Sequence, residues 1–284
     1  SSYRDLPLLL NQWANVMRWE MRPRLFLRTS EFLWQEGHTA HATTHEAHQH
    51  TLRMLYVYER FCIDVLGIPV ILGEKTENER FPGAVNTYTL EAMMQDGKAL
   101  QCGTSHFLGQ NFSKAMEICF TNNKGIREYV WTTSWGVTTR LIGALIMTHS
   151  DDNGLIVPPR IAPLHVVIIS FIPSGKQQEE ILSYCEILQR ELEKNLYHGD
   201  TIKVFQDRRD MTSGEKKWHW IKKGVPICVE IGPKEVSDNT ITVFRRFPDI
   251  HSKEKISKEN FIQILLKMLD EIQNGLYDLS LIHI

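Results

Sequence analysis

The sequence predicts an α+β domain built on an antiparallel sheet, followed by a smaller α/β domain. Apolar residues alternate with other residues at 8–20 and again at 25–35, which is typical of two neighbouring strands. Three prolines fall within 154–163, and neither a central strand nor a helix continues through such a segment. After it, apolar strand-like segments alternate with helical ones. We therefore expect domains at 1–163 and 164–284.

The first domain opens with the two strand segments, joined by a turn at Arg22, Pro23 and Arg24. The apolar spacing then changes to that of a helix at 44–66, which Gly67 and Pro69 end. Further segments complete the sheet and its helices, with strands expected at 70–72, 88–94, 97–105 and 118–120 and a helix at 138–147. The sequence therefore predicts an antiparallel sheet with flanking helices.

The second domain has a different pattern. Residues 166–169 are apolar without interruption, as in a strand that is buried on both faces. Strands and helices then alternate, with strands expected at 166–171, 201–205, 226–231 and 240–246 and helices at 179–194, 218–222 and 259–275. This alternation predicts a small α/β domain with a largely parallel sheet.

Composition excludes several classes of protein. Lys and Arg number 32 against 34 Asp and Glu, for a net charge of −2. Neither domain is strongly basic, so we expect no DNA partner, although an RNA read by a few clustered basic residues fits this charge. No apolar run is long enough to cross a membrane, and we expect no membrane partner. The five cysteines form no CxxC pair, which favours the reducing cytoplasm.

One strand pair carries an unusual set of charged and aromatic residues. Residues two apart on a strand share a face, so Arg18 and Glu20 point together. The same spacing puts a second group across the hairpin, namely Arg28, Phe32, Trp34 and Glu36. An exposed ion-pair face is one interpretation. The other is a nucleotide site, since guanidinium groups grip phosphates and a ring stacks on a base.

The fuller pattern resembles a known family. Arg-x-Glu followed by Arg-x-x-x-Phe-x-x-x-Glu resembles motif 2 of class II aminoacyl-tRNA synthetases, and 154–160, which ends in Arg160, resembles motif 3. The intervening segments are similar to prolyl-tRNA synthetases of the archaeal/eukaryotic-like type; they include 26–29, 32–38, 103–106, 108–112 and 133–136. The resemblance runs over nearly the whole chain. It implies a class II synthetase sheet followed by an anticodon-binding domain.

The resemblance also implies residue roles. Arg18, Arg28 and Arg160 would be catalytic. Contacts to ATP are implied for Arg18, Arg28, Thr29, Phe32, Gln101, Thr104, Thr138, Arg140 and Arg160, with Gln101 also near Mg²⁺. The proline pocket would be formed by Arg18, Trp34, Glu36, Phe81, His106 and Trp135. The anticodon would be read by Glu230, Lys234, Arg245 and Arg246, of which we expect the basic residues on the exposed edge of the second sheet.

The implied activity is that of a proline–tRNA ligase. ATP and Mg²⁺ would be its cofactors, and proline and tRNA(Pro) its substrates. Relative to the family pattern, three parts lie outside this sequence: motif 1, the threonine-serine-glutamate loop that binds the substrate's amino group, and the C-terminal domain. We therefore expect a chain truncated at both ends. The parent protein would dimerise through the upstream segment.

Two other interpretations stay open at this stage. A non-catalytic relative or an inactive fragment would keep the fold to bind tRNA or a regulatory partner. A different ATP-using ligase on the same fold would carry a pocket unlike Trp34, Glu36, Phe81 and His106. A histidine cluster at 38–50 is interpreted as a solvated helix start rather than a zinc site, because no carboxylate or thiolate is spaced with it.

Overall fold

The computed structural model describes residues 2–171 and 177–282. The chain forms two compact units that divide between Thr148 and His149, except that 65–67 belong to the second unit. The domain boundary that we expect after Pro163 lies further along the chain than this division, and it stays a prediction.

The first unit is built on an antiparallel sheet. Within residues 2–171 its strands are β1 Leu8–Met17, β2 Glu31–His41, β3 Ile71–Glu74, β4 Asn86–Met93, β5 Ala99–Gly109 and β8 Trp131–Thr138, with a separate hairpin of β6 Cys119–Thr121 and β7 Arg127–Tyr129. The strand order across the sheet is β1-β2-β8-β5-β4-β3. All neighbouring strands in it run antiparallel, as the sequence predicts.

One face of this sheet is covered by a helix. The helices of the first unit are α1 Thr44–Arg60, α2 Asn111–Ala115 and α3 Arg140–His149, the last residue of which belongs to the second unit. The Thr43 side chain caps α1 by accepting a bond from the backbone N–H of Glu46 at 3.2 Å. Ala47, Leu55 and Tyr58 bury the inner side of α1 against the strands. The opposite face of the sheet is left open for a cavity.

The first hairpin differs from its prediction at the turn. Its register pairs Leu8 with Ala40 and Met17 with Glu31, so the strands end sooner and the connection is longer than expected. Residues 18–30 form this connection. Its two ends are joined by a hydrogen bond from the backbone N–H of Arg18 to the Ser30 carbonyl at 2.8 Å. Arg28 therefore lies in the connection rather than on the strand.

The second unit has a mixed sheet with helices on both faces. Its described strands are β9 Val166–Ser170, β12 Val204–Asp207, β13 Ile227–Ile231, β14 Thr240–Arg245 and β15 Lys253–Ser257, in the order β12-β9-β13-β14-β15, beside a small pair of β10 Leu196–Tyr197 and β11 Asp200–Thr201. The helices are α4 Gln177–Glu193, α5 Ser213–Lys222, α6 Pro233–Asp238 and α7 Lys258–Leu281. The pairings of β9 with β12 and β13 are parallel, whereas β14 and β15 are antiparallel, so the sheet is less parallel than predicted.

Strand β9 explains the uninterrupted apolar sequence. Val166 and Ile168 lie in the core that packs against α4 and α7, while Val167 and Ile169 lie in a second core with Trp220. Both faces of the strand are therefore buried. The α+β unit followed by an α/β unit confirms the predicted fold class. Among the described residues, no helix has the length and apolar character that a membrane span requires.

Candidate active site

A cavity of about 1050 Å³ opens on the sheet of the first unit. The strand registers decide which side chains face it. Ser105 donates a bond to the Thr51 carbonyl in α1, so its neighbours Thr104 and His106 point to the other face. Phe32, Trp34 and Glu36 alternate along β2 on this same cavity face. The hairpin thus places aromatic rings and a carboxylate on one wall.

The guanidinium groups of Arg18, Arg28 and Arg140 meet at one end of the cavity. The Arg18 guanidinium carbon lies 4.8 Å from the centre of the Phe32 ring, as in a cation–π contact. Arg28 is largely exposed, and its Nε is 4.0 Å from Glu20 Oε2. These groups leave positive charge available to an anion.

Arg140 begins α3 and is held by backbone carbonyls. Its Nε donates to the Leu27 carbonyl at 3.0 Å, and its Nη1 to the Gln101 carbonyl at 3.5 Å. Burial lowers the pKa of Arg140, and the nearby charges of Arg28 and Arg18 lower it further. The guanidinium is thus held between β5 and the connection of the first hairpin, next to other cations. Such an arrangement favours binding of a polyanion.

The remaining residues implied for ATP contacts lie around this end. Thr29 donates its hydroxyl to the Glu31 carbonyl at 2.7 Å, and the Thr138 hydroxyl accepts the backbone N–H of Arg140 at 3.1 Å. Gln101 and Thr104 both line the cavity from β5. These side chains surround the arginines with hydroxyl and amide groups.

The other end of the cavity carries a pair of neighbouring rings. The Phe81 and His106 rings lie 5.0 Å apart between centres. The Thr87 hydroxyl joins them, since it accepts the Phe81 backbone N–H at 3.1 Å and lies 3.0 Å from His106 Nδ1. Burial, with a smaller contribution from the charge of Lys75, lowers the pKa of His106 to about 4. His106 is therefore neutral near pH 7, which keeps this end free of added positive charge.

Glu36 supplies the carboxylate of this end. Gln12 Nε2 donates to Glu36 Oε2 at 2.9 Å, and His38 Nε2 lies 3.0 Å from Glu36 Oε1. Trp34 stands next to Glu36 on the same face, with its ring 6.1 Å from that of Phe32 in an edge-to-face contact. A small ligand with a cationic nitrogen and an apolar body fits a carboxylate beside such rings.

Trp135 lines the cavity but holds its ring on the α1 face of the sheet. The ring centre is 6.1 Å from that of His50 and 6.4 Å from that of Tyr58. A Cβ added to Gly37 would lie 2.1 Å from this ring, so only glycine fits opposite it. The ring of Trp135 therefore supports the sheet from behind, whereas the ring of Trp34 lies on the cavity face.

Comparison with known proteins gives the family of the first unit. Residues 1–149 match the model of the tRNA synthetase class II core domain (G, H, P, S and T). This match spans more than half of the chain. The chain belongs to the class II tRNA synthetases.

The second unit of this class II synthetase has a match of its own. Residues 165–268 match the anticodon binding domain family. The predicted α/β anticodon-binding domain is confirmed at the level of the family. The predicted class II synthetase sheet is likewise confirmed.

Relatives are similar over nearly the whole chain. A protein named Proline–tRNA ligase from Protochlamydia amoebophila is 56% identical over 276 residues, which cover 97% of this chain and 54% of that protein. Another of that name, from Bdellovibrio bacteriovorus, is 57% identical over 279 residues, covering 98% and 56%. The chain thus spans about half the length of the curated relatives it matches.

A solved structure has the same architecture. The crystal structure of prolyl-tRNA synthetase from Cryptosporidium parvum complexed with L-proline and AMP matches with a TM-score of 0.92 and 42% identity, over 98% of this chain and 56% of that one. A second crystal structure of that synthetase is complexed with halofuginone and AMPPNP and matches equally well.

One implied site residue of this class II synthetase belongs to the second unit. Arg160 is in a short 3₁₀ helix of the second unit, where its backbone N–H donates to Gln273 Oε1 at 3.1 Å. It is not among the residues that line the cavity, all of which belong to the first unit. The arginine that lies beside Arg18 and Arg28 in the structure is Arg140.

The residues implied for anticodon reading are mostly engaged in ion pairs. Lys253 Nζ is 2.5 Å from Glu230 Oε2, and Arg245 Nη1 is 2.6 Å from Glu271 Oε2. Lys234 is exposed on α6. The expectation that Arg246 lies on an exposed edge is wrong: it is 3% exposed. Its guanidinium turns inward because Asp151 pairs with it at 2.5 Å and the Ile221 carbonyl accepts its Nε.

Several residues of the site were missed by the sequence analysis. Gln12, His38 and Thr87 contact the implied site residues. The register of the first hairpin would have found Gln12, because it lies directly opposite Glu36. The histidine cluster also divides differently than expected, since His41 ends β2 instead of joining α1.

Proposed function

We propose that the protein carrying this chain is a proline–tRNA ligase. It activates proline with ATP to prolyl-adenylate and transfers the prolyl group to tRNA(Pro). The observation that carries this proposal is one cavity with two unlike ends. Arginines meet at one end, and a carboxylate stands beside aromatic rings at the other. The named relatives support the same activity.

The arginine end suits the activation step. Attack of a carboxylate on the α-phosphorus brings two anions together, so the reaction needs positioning and charge neutralisation rather than a protein nucleophile. Arg18 would bind the α-phosphate and the proline carboxylate, and Arg28 the γ-phosphate. Arg140 lies with them and would bind the same nucleotide. Arg160, which belongs to the second unit, stays proposed as a catalytic residue that contacts ATP.

The rest of the nucleotide would be held by neutral groups. Phe32 would stack on adenine, while Thr29, Gln101, Thr104 and Thr138 offer hydroxyl and amide groups to the phosphates and ribose. These residues surround the arginines in the cavity, which supports the assignment.

The aromatic end suits proline. Glu36 would supply a carboxylate to the pocket, and Trp34, Phe81 and His106 would enclose the ring, with Trp135 supporting the sheet behind them. Apolar walls alone discriminate between two amino acids that differ by one methylene by roughly 10–200-fold. The carboxylate therefore lets the pocket select its ligand by polarity as well as by shape.

Mg²⁺ would neutralise phosphate charge when ATP is bound. The cavity offers oxygen ligands, which that ion prefers. The side chain of Gln101 lines the cavity and would provide one such oxygen, beside those of the ATP phosphates.

The second unit would bind the anticodon of tRNA(Pro), in which Glu230, Lys234, Arg245 and Arg246 are proposed to take part. We also propose a cytoplasmic homodimer of the archaeal/eukaryotic-like type, without DNA or membrane partners. The family match at 165–268 supports the tRNA contact. A non-catalytic relative is not favoured, because Arg18, Arg28 and Arg140 are all present in the cavity.

Pyrophosphate exchange tests this proposal. The intact protein should exchange pyrophosphate into ATP when proline is supplied and not with other amino acids. Arg18→Ala should slow this exchange by orders of magnitude, because each hydrogen bond to a charged group that is lost costs roughly 1.5–3 kcal/mol. Arg127→Ala, an exposed arginine of β7, is the control and should exchange normally. Unchanged exchange by Arg18→Ala would overturn the assignment of the arginine end.

A further inference from the structure

The helices on the two faces of the second unit differ in charge. Helices α4 and α7 pack on the face of the sheet that Val166 and Ile168 share, whereas α5 packs on the opposite face. α4 carries five glutamates and one arginine, and α7 carries four acidic residues and two lysines. α5 carries one glutamate and three lysines, and Lys223 follows it directly. Positive charge is therefore concentrated at α5.

The lysines of α5 also differ in their partners. Lys194, directly after α4, pairs with Glu191 at 2.6 Å, and other lysines of the acidic face have similar partners. Within the described residues, Lys217, Lys222 and Lys223 form no ion pair. Lys222 and Lys223 are exposed. Their charge is thus available to an anion that approaches this face.

Both ends of α5 are anchored. The Thr212 hydroxyl accepts the backbone N–H of Glu215 at 3.3 Å, and Glu215 Oε2 accepts the backbone N–H of Thr212 at 2.9 Å. At the other end the Lys222 carbonyl accepts the backbone N–H of Leu155 at 3.0 Å. The lysines therefore extend from a fixed helix, which reduces the entropy that a ligand must remove.

An exposed ring accompanies the lysines. Trp218 lies one turn before Lys222, so the two share a helix face, and Trp218 is 44% exposed. Trp220, in contrast, is buried and donates its Nε1–H to Asp207 Oδ2 at 2.8 Å. Cations stabilise the end of a helix, which accounts for Lys222 and Lys223 but not for an exposed ring. A ring beside free cations suits RNA, because lysines bind its phosphates and aromatic faces contact its bases and sugars.

Lys217 links α5 to the residues proposed for anticodon binding. Its Nζ lies 4.6 Å from the centre of the Phe244 ring. Burial lowers the pKa of Lys217, and the charge of Lys253 lowers it further while that of Glu230 opposes the change. Glu230 follows Cys228 on the same face of β13, and Cys228 packs in the core under α5. An anticodon loop at Glu230 is therefore within reach of α5.

We propose that Trp218, Lys222 and Lys223 form a binding surface for the sugar–phosphate backbone of tRNA, beside the residues that would read the anticodon. The proposal rests on the proposed function. Phosphate contacts carry no direct information about the bases. The surface therefore adds affinity for any tRNA and leaves selection to the anticodon residues.

Binding titrations of the intact protein with tRNA(Pro) across a salt series test this surface. Lys222→Ala and Lys223→Ala should each weaken binding by about threefold and reduce the slope of log affinity against log salt by about one. The loss should be equal for tRNA(Pro) and for a transcript in which the two anticodon guanines are replaced. Lys222→Arg keeps the charge and should bind normally. Trp218→Ala should weaken binding without changing the slope, because its ring carries no charge.

The acidic face provides matched controls in the same unit. Lys267→Ala removes an exposed lysine of α7, and Leu279→Ala removes an exposed apolar side chain of that helix. Neither should change the affinity or its salt slope.

Equal effects of Lys222→Ala and Lys267→Ala would mean that only the total charge matters, and would overturn the proposal. Normal binding by a variant that carries both Lys222→Ala and Lys223→Ala would overturn it too, as would a loss confined to the tRNA with the proline anticodon. Failure of the proposed function has a different signature: the unsubstituted protein would show no proline-dependent pyrophosphate exchange and no binding of tRNA(Pro), and both proposals would fall.

Discussion

Phe81 lies at the aromatic end of the cavity, so we expect its contribution to ligand binding to be confined to that end. Phe81 is 46% exposed, and its ring contacts that of His106 in the cavity. Phe81→Ala should therefore raise the KM for proline more than the KM for ATP, as the loss of uniform binding does. Pyrophosphate exchange at varied proline and varied ATP measures both values.

Phe32 provides the comparison for this experiment. Its ring contacts the Arg18 guanidinium at the opposite end, so Phe32→Leu should act mainly on the KM for ATP. Equal effects of Phe81→Ala on both substrates would mean that Phe81 is only a packing residue.

At the level of elements, the end of β2 contributes a pH-dependent stability. His41 is 3% exposed, and its Nε2 lies 2.8 Å from the Thr39 hydroxyl. Burial, and then the nearby His50, lower the pKa of His41 from 6.5 to about 4. The folded state thus resists a proton that the unfolded state accepts. The contribution is fully present above about pH 6.5 and is lost as the pH falls towards 4.

Denaturant unfolding at several pH values measures this effect. The free energy of unfolding should fall by up to about 3 kcal/mol between pH 7 and 4 through His41 alone. His41→Gln should show a shallower fall over that range, while His45→Gln, an exposed residue of α1, should match the unsubstituted protein. Parallel pH profiles for His41→Gln and the unsubstituted protein would contradict the prediction.

The elements also show what sequence patterns can and cannot predict. β9 was predicted because both of its faces are buried and all its side chains are apolar. β8 was missed, because its cavity face carries Thr132, Ser134 and Gly136, which leave room for a ligand instead of forming a core. β15 was missed for another reason. It is an edge strand rich in lysine, and such strands carry charge to prevent pairing with other chains.

The residues of the site likewise include some that the sequence predicts and some that it does not. The spacing of Phe32, Trp34 and Glu36 predicts their shared face, because alternation along a strand is a local property. Gln12 was not predicted, since its contact with Glu36 depends on the register of two strands. Arg246 was misjudged because its partner Asp151 is distant in sequence, and no local pattern reveals a buried ion pair.

At the level of the whole molecule, the proposed tRNA binding would draw little positive charge from the residues implied for anticodon reading. Glu230 and Arg245 already have partners of opposite charge, and Arg246 is buried. Phosphate contacts by these residues should therefore be few, and the affinity should depend on the anticodon bases as well as on salt. We expect replacement of the two guanines of the proline anticodon to weaken binding of tRNA to the intact protein.

Binding titrations across a salt series measure this dependence. Lys234→Ala should weaken binding, because Lys234 is exposed on α6, whereas Lys124→Ala in the first unit is the control. Equal affinities for the two tRNAs at every salt concentration would show that the second unit does not read the anticodon.

The contact of Arg18 with Phe32 lies where both proposed substrates would bind. In the proposed function, Phe32 stacks on adenine, while the guanidinium above it holds both the α-phosphate and the amino-acid carboxylate. A nucleotide that fixes the orientation of the Phe32 ring also fixes the Arg18 guanidinium. Binding of either substrate would therefore orient a group that binds the other. Thermodynamic linkage then makes the effect reciprocal: the factor by which bound nucleotide tightens proline is the factor by which bound proline tightens the nucleotide.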